Sequence, residues 1–496
     1  MNDVRYLLLI VLLLPALSPA GSPSALWGRR GELWRPDSRL PFFGYAGYHC
    51  GDDPIPDIKP TANVADYGAQ ADDEIGDSDA IQTAIDATEK GAVLIPAGRF
   101  ILDKPITIKR SNVVLRGAGP RKTILYVPRS LQELDPKESN ADGGEKLAYS
   151  FGGAFLSIEG KRPKEHGVAV VETATRGDAC LQLESAKGME RGSWVQLNMK
   201  MNEELGRHVH AGCCDAGEGT MGFVVSTVAQ VKSVDKKSIK LDRPLRLDVR
   251  PEWKPTVSLF EPSIEEVGLE NFTIQMAGKP KKKHLLEEGF NAIQFNAAVN
   301  CWVRRVEIID ADLGIKLDNR SRFCQVERVL IRHEKRDLAD GPTGHHAIWL
   351  SGVTQGCLIS NFHIETEYVH DLTYEGLAHG NVIRRGKGGR LNFDHHRNAP
   401  FENLFTDIDV GNPDRLWDSS GSGHRGPHSA ARSTVWNIRY SGGEPMVPKK
   451  GHFPQLNMIG IKGAEKKDFD DWWVEPLGGA VDPPDLYEAQ LKRLGK

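Results

Sequence analysis

The sequence lacks a marked excess of charge, a Cys-x-x-Cys pair and, after its first residues, any long apolar run. Its 63 lysines and arginines are balanced by 67 aspartates and glutamates, for a formal net charge of −4. This balance provides no general attraction to nucleic acid or to an acidic membrane surface, so neither is expected as a partner. Without a Cys-x-x-Cys pair, a structural zinc site is not expected either.

The first twenty residues predict a secretory signal peptide. Arg5 precedes an apolar run from Tyr6 to Leu14, and Ser18-Pro19-Ala20 offers small residues at a cleavage position. The run is short for a bilayer-spanning helix, although an uncleaved anchor is the alternative. We therefore expect a secreted or periplasmic protein that has no membrane association once residues 1–20 are removed. Export permits disulfides, and the odd count of seven cysteines leaves at least one thiol unpaired within the chain.

Composition and periodicity divide the rest of the chain. Residues 21–60 are rich in proline, glycine, arginine and aromatics without a period, which indicates a strap on the main domain. Residues 61–165 combine one short helix with short apolar strands separated by turns. Residues 166–260 alternate between apolar and polar with long excursions, which predicts a small inserted β-domain. Residues 261–445 repeat as solenoid coils, and residues 446–496 lose the repeat and are expected to form a capping tail.

Five segments in the repeat share one template, with apolar residues at the second and fourth places. They are AIQFNA (292–297), GIKLDN (314–319), AIWLSG (347–352), DLTYEG (371–376) and RLNFDH (390–395). Strand alternation predicts that the apolar places face the interior. These interior residues are Ile293, Phe295, Ile315, Leu317, Ile348, Leu350, Leu372, Tyr374, Leu391 and Phe393. In the strands that follow, Cys301, Cys324 and Cys357 fall in register, which predicts an interior stack of thiols; a disulfide between two of them is the alternative.

The start of the coils resembles a known signature. Asp66-Tyr67-Gly68-Ala69, then Asp79-Ala80-Ile81-Gln82 with Ala84-Ile85-Asp86, then Ile95-Pro96-Ala97-Gly98-Arg99-Phe100, resemble the N-terminal signature of the pectate lyase superfamily, and Asn112–Gly117 resembles its next rung. In that family, the helix caps the open end of a right-handed parallel β-helix. The resemblance implies an all-β solenoid of this kind, with an N-terminal capping helix and, from the periodicity, a small inserted β-domain. It implies no single activity, because lyases, hydrolases, epimerases and phage tailspikes share the fold.

The third and fifth places of the template face solvent and stack in two columns. The third-place column reads Gln294, Lys316, Trp349, Thr373 and Asn392, and the fifth-place column reads Asn296, Asp318, Ser351, Glu375 and Asp394. Neighbouring parallel strands lie about 4.8 Å apart, so Glu375 and Asp394 are expected to be adjacent carboxylates. Such a pair is costly unless it binds a cation, shares a proton or meets basic groups. A solvated surface pair is the alternative.

Histidines and arginines gather around this expected pair. His395, His396 and Arg397 follow Asp394 directly, His424, Arg425, His428 and Arg432 come from the next coils, and His370 and His379 lie on the preceding ones. The pattern predicts a groove with a catalytic set. That set is Lys316, Glu375, Asp394, His395, His396, Arg397, His428 and Arg432. Trp349, Asn392, His424 and Arg425 are the predicted substrate-binding residues.

These residue types suit β-elimination on a uronate. Lys316, Arg397 and Arg432 are candidates for neutralising the substrate carboxylate, and His395, His396 and His428 are candidates for base and acid. A calcium ion held by Asp318, Glu375 and Asp394 is an alternative means of neutralisation, and it is the one cofactor considered.

The sequence therefore favours a secreted polysaccharide lyase that acts on an acidic, uronic-acid-containing glycan. A glycoside hydrolase that uses Glu375 and Asp394 is one alternative. A non-catalytic carbohydrate-binding protein that uses Trp349, Trp417 and Tyr374 is another.

Overall fold

The structure is a computed structural model that describes residues 21–139, 146–163, 166–278, 284–334, 342, 344–442, 447–449, 451–461, 471–476 and 480–496. The predicted signal peptide, residues 1–20, lies outside these residues. Among the helices that are described, none is long and apolar enough to cross a membrane.

One parallel sheet, here called the site sheet, carries most of the predicted site. Its strands, in spatial and chain order, are β1 (Ile106–Ile108), β2 (Leu156–Glu159), β3 (Asn291–Asn296), β4 (Leu313–Asp318), β5 (Gly344–Leu350), β6 (Tyr368–Tyr374) and β7 (Phe393–His395). Ile293 pairs with Ile315, Ile315 with Ile348, and Ile348 with Leu372. All four are buried in the main core, so the predicted interior column is confirmed from β3 to β6.

Further parallel strands complete each coil. They are Pro60–Asn63, Gly91–Ile95, Gly98–Ile101, Val113–Gly117, Thr123–Val127, Gly268–Met276, Trp302–Ile309, Gln325–Glu327, Leu330–Arg332, Leu358–Ser360, His363–Ile364, Val382–Arg384, Lys387–Gly388, Leu404–Asp409, Thr434–Arg439, Asn457–Ile459 and Trp473–Glu475. The fold is the predicted right-handed parallel β-helix. The last two strands pair onto Thr434–Arg439 and onto each other, so the coils extend beyond residue 445, where the repeat was expected to end.

The predicted capping helix forms at Ser78–Ala87, and Ile81, Ala84 and Ile85 are buried in the core at the end of the coils. The other α-helices described are Leu131–Leu134, Glu203–Val209 and Leu486–Leu494. Short 3-10 turns occur at Tyr48–Gly51, Val64–Tyr67, Ala148–Phe151, Glu218–Thr220, Pro251–Trp253 and Gly423–Arg425.

The inserted β-domain is confirmed as an antiparallel sheet. Its strands are Val168–Ala169, Cys180–Gln182, Trp194–Lys200, Val224–Val234, Ser238–Leu241 and Thr256–Leu259. The domain has its own apolar core, which continues onto Leu377, Phe401 and Ala431 of the coils. The insert is therefore packed against the turns that follow the site-sheet strands.

The N-terminal strap and the C-terminal helix pack together on another side of the coils. Phe43 and Tyr487 share a buried cluster with Leu358 and Leu404 of the coils. The Tyr487 hydroxyl donates to the Ala46 carbonyl at 2.6 Å. A short two-stranded pairing of Ser22–Pro23 with Val481–Asp482 also joins these two segments.

The cysteine stack lies inside the coils as predicted. Cys301, Cys324 and Cys357 are buried and their thiols are free. Cys213 and Cys214, in the long loop of the insert, form a disulfide.

Candidate active site

A cavity of about 450 Å³ opens on the outer face of β5 and β6. Its lining comes from these strands, from the segments that precede β2 and β3, and from His396 and residues 420–425, which follow β7. It contains His284, His345, His346, His370, His396 and His424, together with Trp349, Glu375 and Arg425. The cavity therefore combines six histidines with one carboxylate, Glu375, and two basic side chains, Lys146 and Arg425.

The register of β7 differs from the sequence alignment by two residues. Phe393, not Leu391, pairs with Leu372, so Asp394 pairs with Thr373 and His395 pairs with Tyr374. Asp394 thus continues the column of Lys316, Trp349 and Thr373, and the residue beside Glu375 is His396. The predicted pairing of Glu375 with Asp394 is wrong. A shift of two residues keeps every side chain on its predicted face but changes all of its neighbours.

His395 is not a groove residue. Strand β7 continues through His395, so alternation turns its ring into the interior, where it packs on Phe405 and Phe453 with ring centroids 5.5 and 4.8 Å away. Burial lowers the pKa of His395 to about 4, which keeps the ring neutral inside the coil. The prediction failed because it placed the end of the strand one residue too early.

Asp394 lies fully buried beneath two histidines of the cavity. Its Oδ2 accepts a hydrogen bond from Nδ1 of His396 at 2.9 Å and lies 3.1 Å from Nδ1 of His370. Burial alone raises the pKa of Asp394, but the two rings outweigh it and the net pKa is lowered. Burial also works against the charged form of His396, yet Asp394 and Glu375 raise the pKa of that ring. Asp394 therefore orients two rings without facing the substrate itself.

Glu375 and Arg425 form an ion pair in the cavity wall. Nη1 of Arg425 donates to Oε1 of Glu375 at 2.6 Å. The Glu375 side chain is 4 % exposed, whereas that of Arg425 is 34 % exposed. Among the lining residues described, Glu375 is the one carboxylate.

Lys316 is already neutralised. Its Nζ lies 2.8 Å from Oδ2 of Asp318, donates to the Phe151 carbonyl at 2.9 Å and sits 4.0 Å from the ring centre of Trp349. Burial raises the pKa of Asp318, but Lys316 lowers it by more, so the net pKa lies below its usual value. Asp318 therefore pairs with Lys316, whereas Asp394 contacts the histidines. Asp318, Glu375 and Asp394 do not converge as the predicted calcium site.

Other predicted residues support the cavity from outside its lining. Arg397 donates from Nε to the Gly421 carbonyl at 3.0 Å and from Nη1 to the Gly426 carbonyl. Its guanidinium therefore holds the 420–426 segment. His428 packs beside His452, with ring centroids 5.1 Å apart.

Asn392 and Arg432 are structural, not substrate-facing. Asn392 is buried and donates to the Asp418 carbonyl at 2.7 Å. Arg432 lies 3.3 Å from Glu402, in the interface with the insert. Predictions that place these two side chains in the groove are wrong, because buried polar groups from distant segments engage them.

Five predicted residues do line the cavity: Glu375, His396, Trp349, His424 and Arg425. Tyr374 and Trp417 belong to the main core instead. The aromatic platform expected of a non-catalytic binding protein is thus reduced to Trp349, which is 6 % exposed.

The catalytic and binding sets predicted from the sequence omit four lining histidines: His284, His345, His346 and His370. Ala347 and Ile348 both belong to the core, so strict alternation is broken within β5, and His346 lies on the cavity wall. His284 lies outside any strand, and only the folded chain brings it to the wall. The adjacent pair His345-His346, immediately before an apolar strand, was the available sequence signal.

The insert supports the wall formed by residues 420–425. Gly217 and Gly426 both have positive φ, and a Cβ atom on either would collide with the backbone of the other segment. Gly219 packs equally closely on His424 and Arg425. Glycine is required at this crossing because the two backbones approach each other without room for side chains.

Comparisons with known proteins agree with this architecture. A family model described as rhamnogalacturonase A/epimerase, pectate lyase-like, matches residues 61–144. Alginate lyase 7 of Azotobacter vinelandii is 34% identical over 115 residues, which are 21% of this chain and 13% of that protein. Mannuronan C5-epimerase AlgE3 of the same organism is 35% identical over 115 residues, which are 20% of this chain and 6% of that protein. The chain thus matches only a small part of these relatives.

Two solved structures align with most of this chain at low sequence identity. The tailspike protein gp49 from Pseudomonas phage LKA1 has a TM-score of 0.48 at 11% identity, and the alignment covers 81% of this chain and 64% of that one. The A-module of mannuronan C-5 epimerase AlgE6 from Azotobacter vinelandii has a TM-score of 0.36 at 12% identity, over 81% of this chain and 74% of that one. Its N-terminal match and its stacked parallel coils thus make the chain similar to the pectate lyase-like β-helix proteins.

Proposed function

We propose that this protein is a secreted polysaccharide lyase that cleaves a uronic-acid-containing glycan by β-elimination. The observation that carries the proposal is the pair of His396 and Asp394: the ring lines the cavity while the buried carboxylate orients it from behind. A histidine held in this way can exchange protons with a bound sugar, because its Nδ1 is committed to Asp394 and its Nε2 is the remaining reactive atom.

The reaction needs a base, a proton donor for the leaving oxygen and a group that neutralises the uronate carboxylate. A base removes the proton on C5, the C–H electron pair forms a C4=C5 double bond, the bond from C4 to the glycosidic oxygen breaks, and that oxygen takes a proton. His396 is the group that exchanges protons with the sugar. Arg425 stands on the same wall, and its fork carries donors beyond the one that Glu375 accepts, so it can bind the substrate carboxylate.

The geometry is less suited to a glycoside hydrolase. Retaining and inverting hydrolases both use two carboxyl groups that flank the scissile bond. Of the two predicted carboxylates, Asp394 is buried beneath the histidines and Glu375 is held by Arg425. No second carboxylate reaches the described part of the lining.

The names of the relatives indicate which substrates to test first. Alginate lyase and mannuronan C5-epimerase both refer to chemistry on a uronate polymer. The predicted signal peptide is consistent with a secreted or periplasmic enzyme that meets such a polymer outside the cytoplasm.

The test is a screen of acidic polysaccharides, with alginate and polygalacturonate first. Lysis produces chain ends that contain a C4=C5 bond and absorb in the ultraviolet, and His396→Ala should remove this signal while His363→Ala, outside the cavity, retains it. New reducing ends without that absorbance would indicate hydrolysis. Deuterium uptake at C5 from D2O without shortening of the chain would indicate epimerisation, and either result would overturn the lyase proposal.

A further inference from the structure

Three histidines converge on one wall of the cavity. One ring nitrogen each of His284, His345 and His370 lies within 4.8 Å of the other two. His345 and His370 are buried, whereas His284 is 43 % exposed in the turn before β3. Three imidazoles that meet beside open space are a common arrangement for a metal-binding site.

Each of these rings has an oxygen acceptor behind its Nδ1. For His345 it is the Ser150 carbonyl at 2.8 Å, for His370 it is Oδ2 of Asp394 at 3.1 Å, and for His284 it is Oε1 of Glu287 at 3.5 Å. An acceptor at Nδ1 favours the proton there and the lone pair on Nε2. On His370 that Nε2 lies 3.2 Å from the Ser420 hydroxyl, which a bound metal ion would displace. Metal-binding histidines are typically oriented by such a carbonyl or carboxylate.

We propose that His284, His345 and His370 bind one divalent transition metal ion, such as Zn²⁺, with a coordination position open to the cavity. An all-imidazole donor set favours Zn²⁺ or its transition-metal neighbours over Ca²⁺, which prefers oxygen ligands. Tetrahedral zinc with Zn–N bonds of about 2.0–2.1 Å requires ligand nitrogens about 3.3 Å apart. The ring nitrogens now lie within 4.8 Å of one another, and the partly exposed His284 is the ligand that can move to shorten these distances.

The second group of converging ligand atoms, His370, Asp394 and His396, has a different role. There Asp394 accepts a hydrogen bond from Nδ1 of His396 and lies 3.1 Å from Nδ1 of His370. In the proposed site this carboxylate orients His370 from behind and is not itself a ligand.

A bound metal ion would also add positive charge for the substrate carboxylate, and this part of the inference rests on the proposed lyase function. The predicted neutralising residues Lys316, Arg397 and Arg432 are engaged by Asp318, by backbone carbonyls and by Glu402. A metal ion with an open position adds positive charge to that of Arg425 on the cavity wall, because it can bind a carboxylate oxygen of the uronate and so acidify the C5 proton.

The experiment is a titration of the full-length protein, stripped with a chelator and dialysed, with Zn²⁺ by calorimetry and with Co²⁺ by visible absorption. We expect about one equivalent of saturable binding. His284→Ala and His345→Ala should abolish that binding, and Asp394→Asn should weaken it about 10–100-fold. His424→Ala, which changes a histidine of the same cavity outside the triad, should bind as the wild type does. Circular dichroism and melting curves check that each variant folds. Because His284 is partly exposed and His345 is buried, His284→Ala is expected to disturb the fold less than His345→Ala.

Binding that is absent, or that survives both His284→Ala and His345→Ala, would overturn the metal site. Because no substrate is needed, this result is independent of the lyase assay. A lyase whose turnover is the same in the stripped protein would overturn the role of the metal and leave the lyase proposal standing. One equivalent of bound Zn²⁺ with no unsaturated product from any glycan would support the metal site and overturn the lyase proposal.

Discussion

Nδ1 of His396 donates a hydrogen bond to Oδ2 of Asp394 at 2.9 Å, and the same oxygen lies 3.1 Å from Nδ1 of His370. One buried carboxylate therefore orients two rings, of which His396 is proposed to move a proton and His370 to bind a metal ion. Ser420 and Thr373 also donate to this carboxylate, at 3.3 Å each. Disturbing Asp394 should thus affect the chemistry more than the binding of substrate.

Replacing Asp394 by asparagine should reduce kcat by about 10²-fold or more and leave KM nearly unchanged, when assayed with Zn²⁺ in excess. The amide keeps the shape of the side chain but loses the charge that orients and stabilises the His396 ring, and general acid–base catalysis is typically worth about 10²–10⁴-fold. Initial rates of formation of the ultraviolet-absorbing product measure both constants. Asp418→Asn, an exposed carboxylate nearby, is the matched control. An Asp394→Asn variant in which KM rises and kcat is unchanged would contradict the positioning role.

His396→Ala and Arg397→Ala should fail in different ways. His396→Ala removes the proposed proton-transfer group and should lower kcat with little change in melting temperature. Arg397→Ala removes hydrogen bonds to the Gly421 and Gly426 carbonyls, so it should raise KM and cost about 1–3 kcal/mol of stability. Steady-state kinetics and thermal melts separate the two effects. Equal losses of kcat in both variants, with unchanged melting, would instead place Arg397 at the reacting atoms.

Glu402→Gln should destabilise the fold by about 3–5 kcal/mol, because it leaves buried arginines without their counter-ion. Glu402 is 1 % exposed and accepts from Arg176 at 2.7 Å and from Arg246 at 3.0 Å, with Arg432 at 3.3 Å. Urea denaturation measures the loss. Glu203→Gln, whose carboxylate is 79 % exposed, should change stability by less than about 0.5 kcal/mol. A similar small change in both variants would mean that the cluster is not energetically coupled to folding.

The same carboxylate should make stability depend on acid. Burial raises the pKa of Glu402, but the three arginines lower it by more, so the folded pKa lies below its usual value. Its contribution is therefore fully present above the unfolded pKa of about 4.3 and is lost as the pH falls through the folded value. The difference in unfolding free energy between the wild type and Glu402→Gln should shrink between about pH 6 and about pH 3. A constant difference would refute this.

The interior cysteines should resist alkylation in the native state. Burial raises the pKa of Cys324 and Cys357 well above the usual value, and the thiolate is the form that reacts. Iodoacetamide should label the exposed Cys180 and leave Cys301, Cys324 and Cys357 unmodified until the protein is unfolded, as peptide mass spectrometry can show. Failure of any of the three to label after unfolding without reductant would indicate a disulfide instead of free thiols.

The alternation of apolar residues determined the interior of the coils without further help. Ile293, Ile315, Ile348 and Leu372 could be placed in one column because a solenoid buries the same face of every strand, and alternation then separates inward from outward places. The capping helix and the inserted β-domain also follow from local patterns, a helical period and a change to antiparallel-like strands. The resemblance of the N-terminal signature to the pectate lyase superfamily added the expected handedness of the coils.

The composition of the cavity was decided by the tertiary structure. A two-residue shift of β7 leaves the same apolar pattern facing inward, so the sequence could not distinguish Leu391 from Phe393 as the neighbour of Leu372. That shift moved Asp394 away from Glu375 and beneath two histidines. Likewise, strict alternation is broken at Ala347, which leaves His346 on the cavity wall, and a period of two gives no sign of such a break. Arg432 found its partner in Glu402, and Lys316 in Asp318, because long charged side chains pair with whatever the folded chain buries beside them. The sequence alone therefore determined which face each strand buries, and only the folding of distant segments decided which polar groups share one cavity.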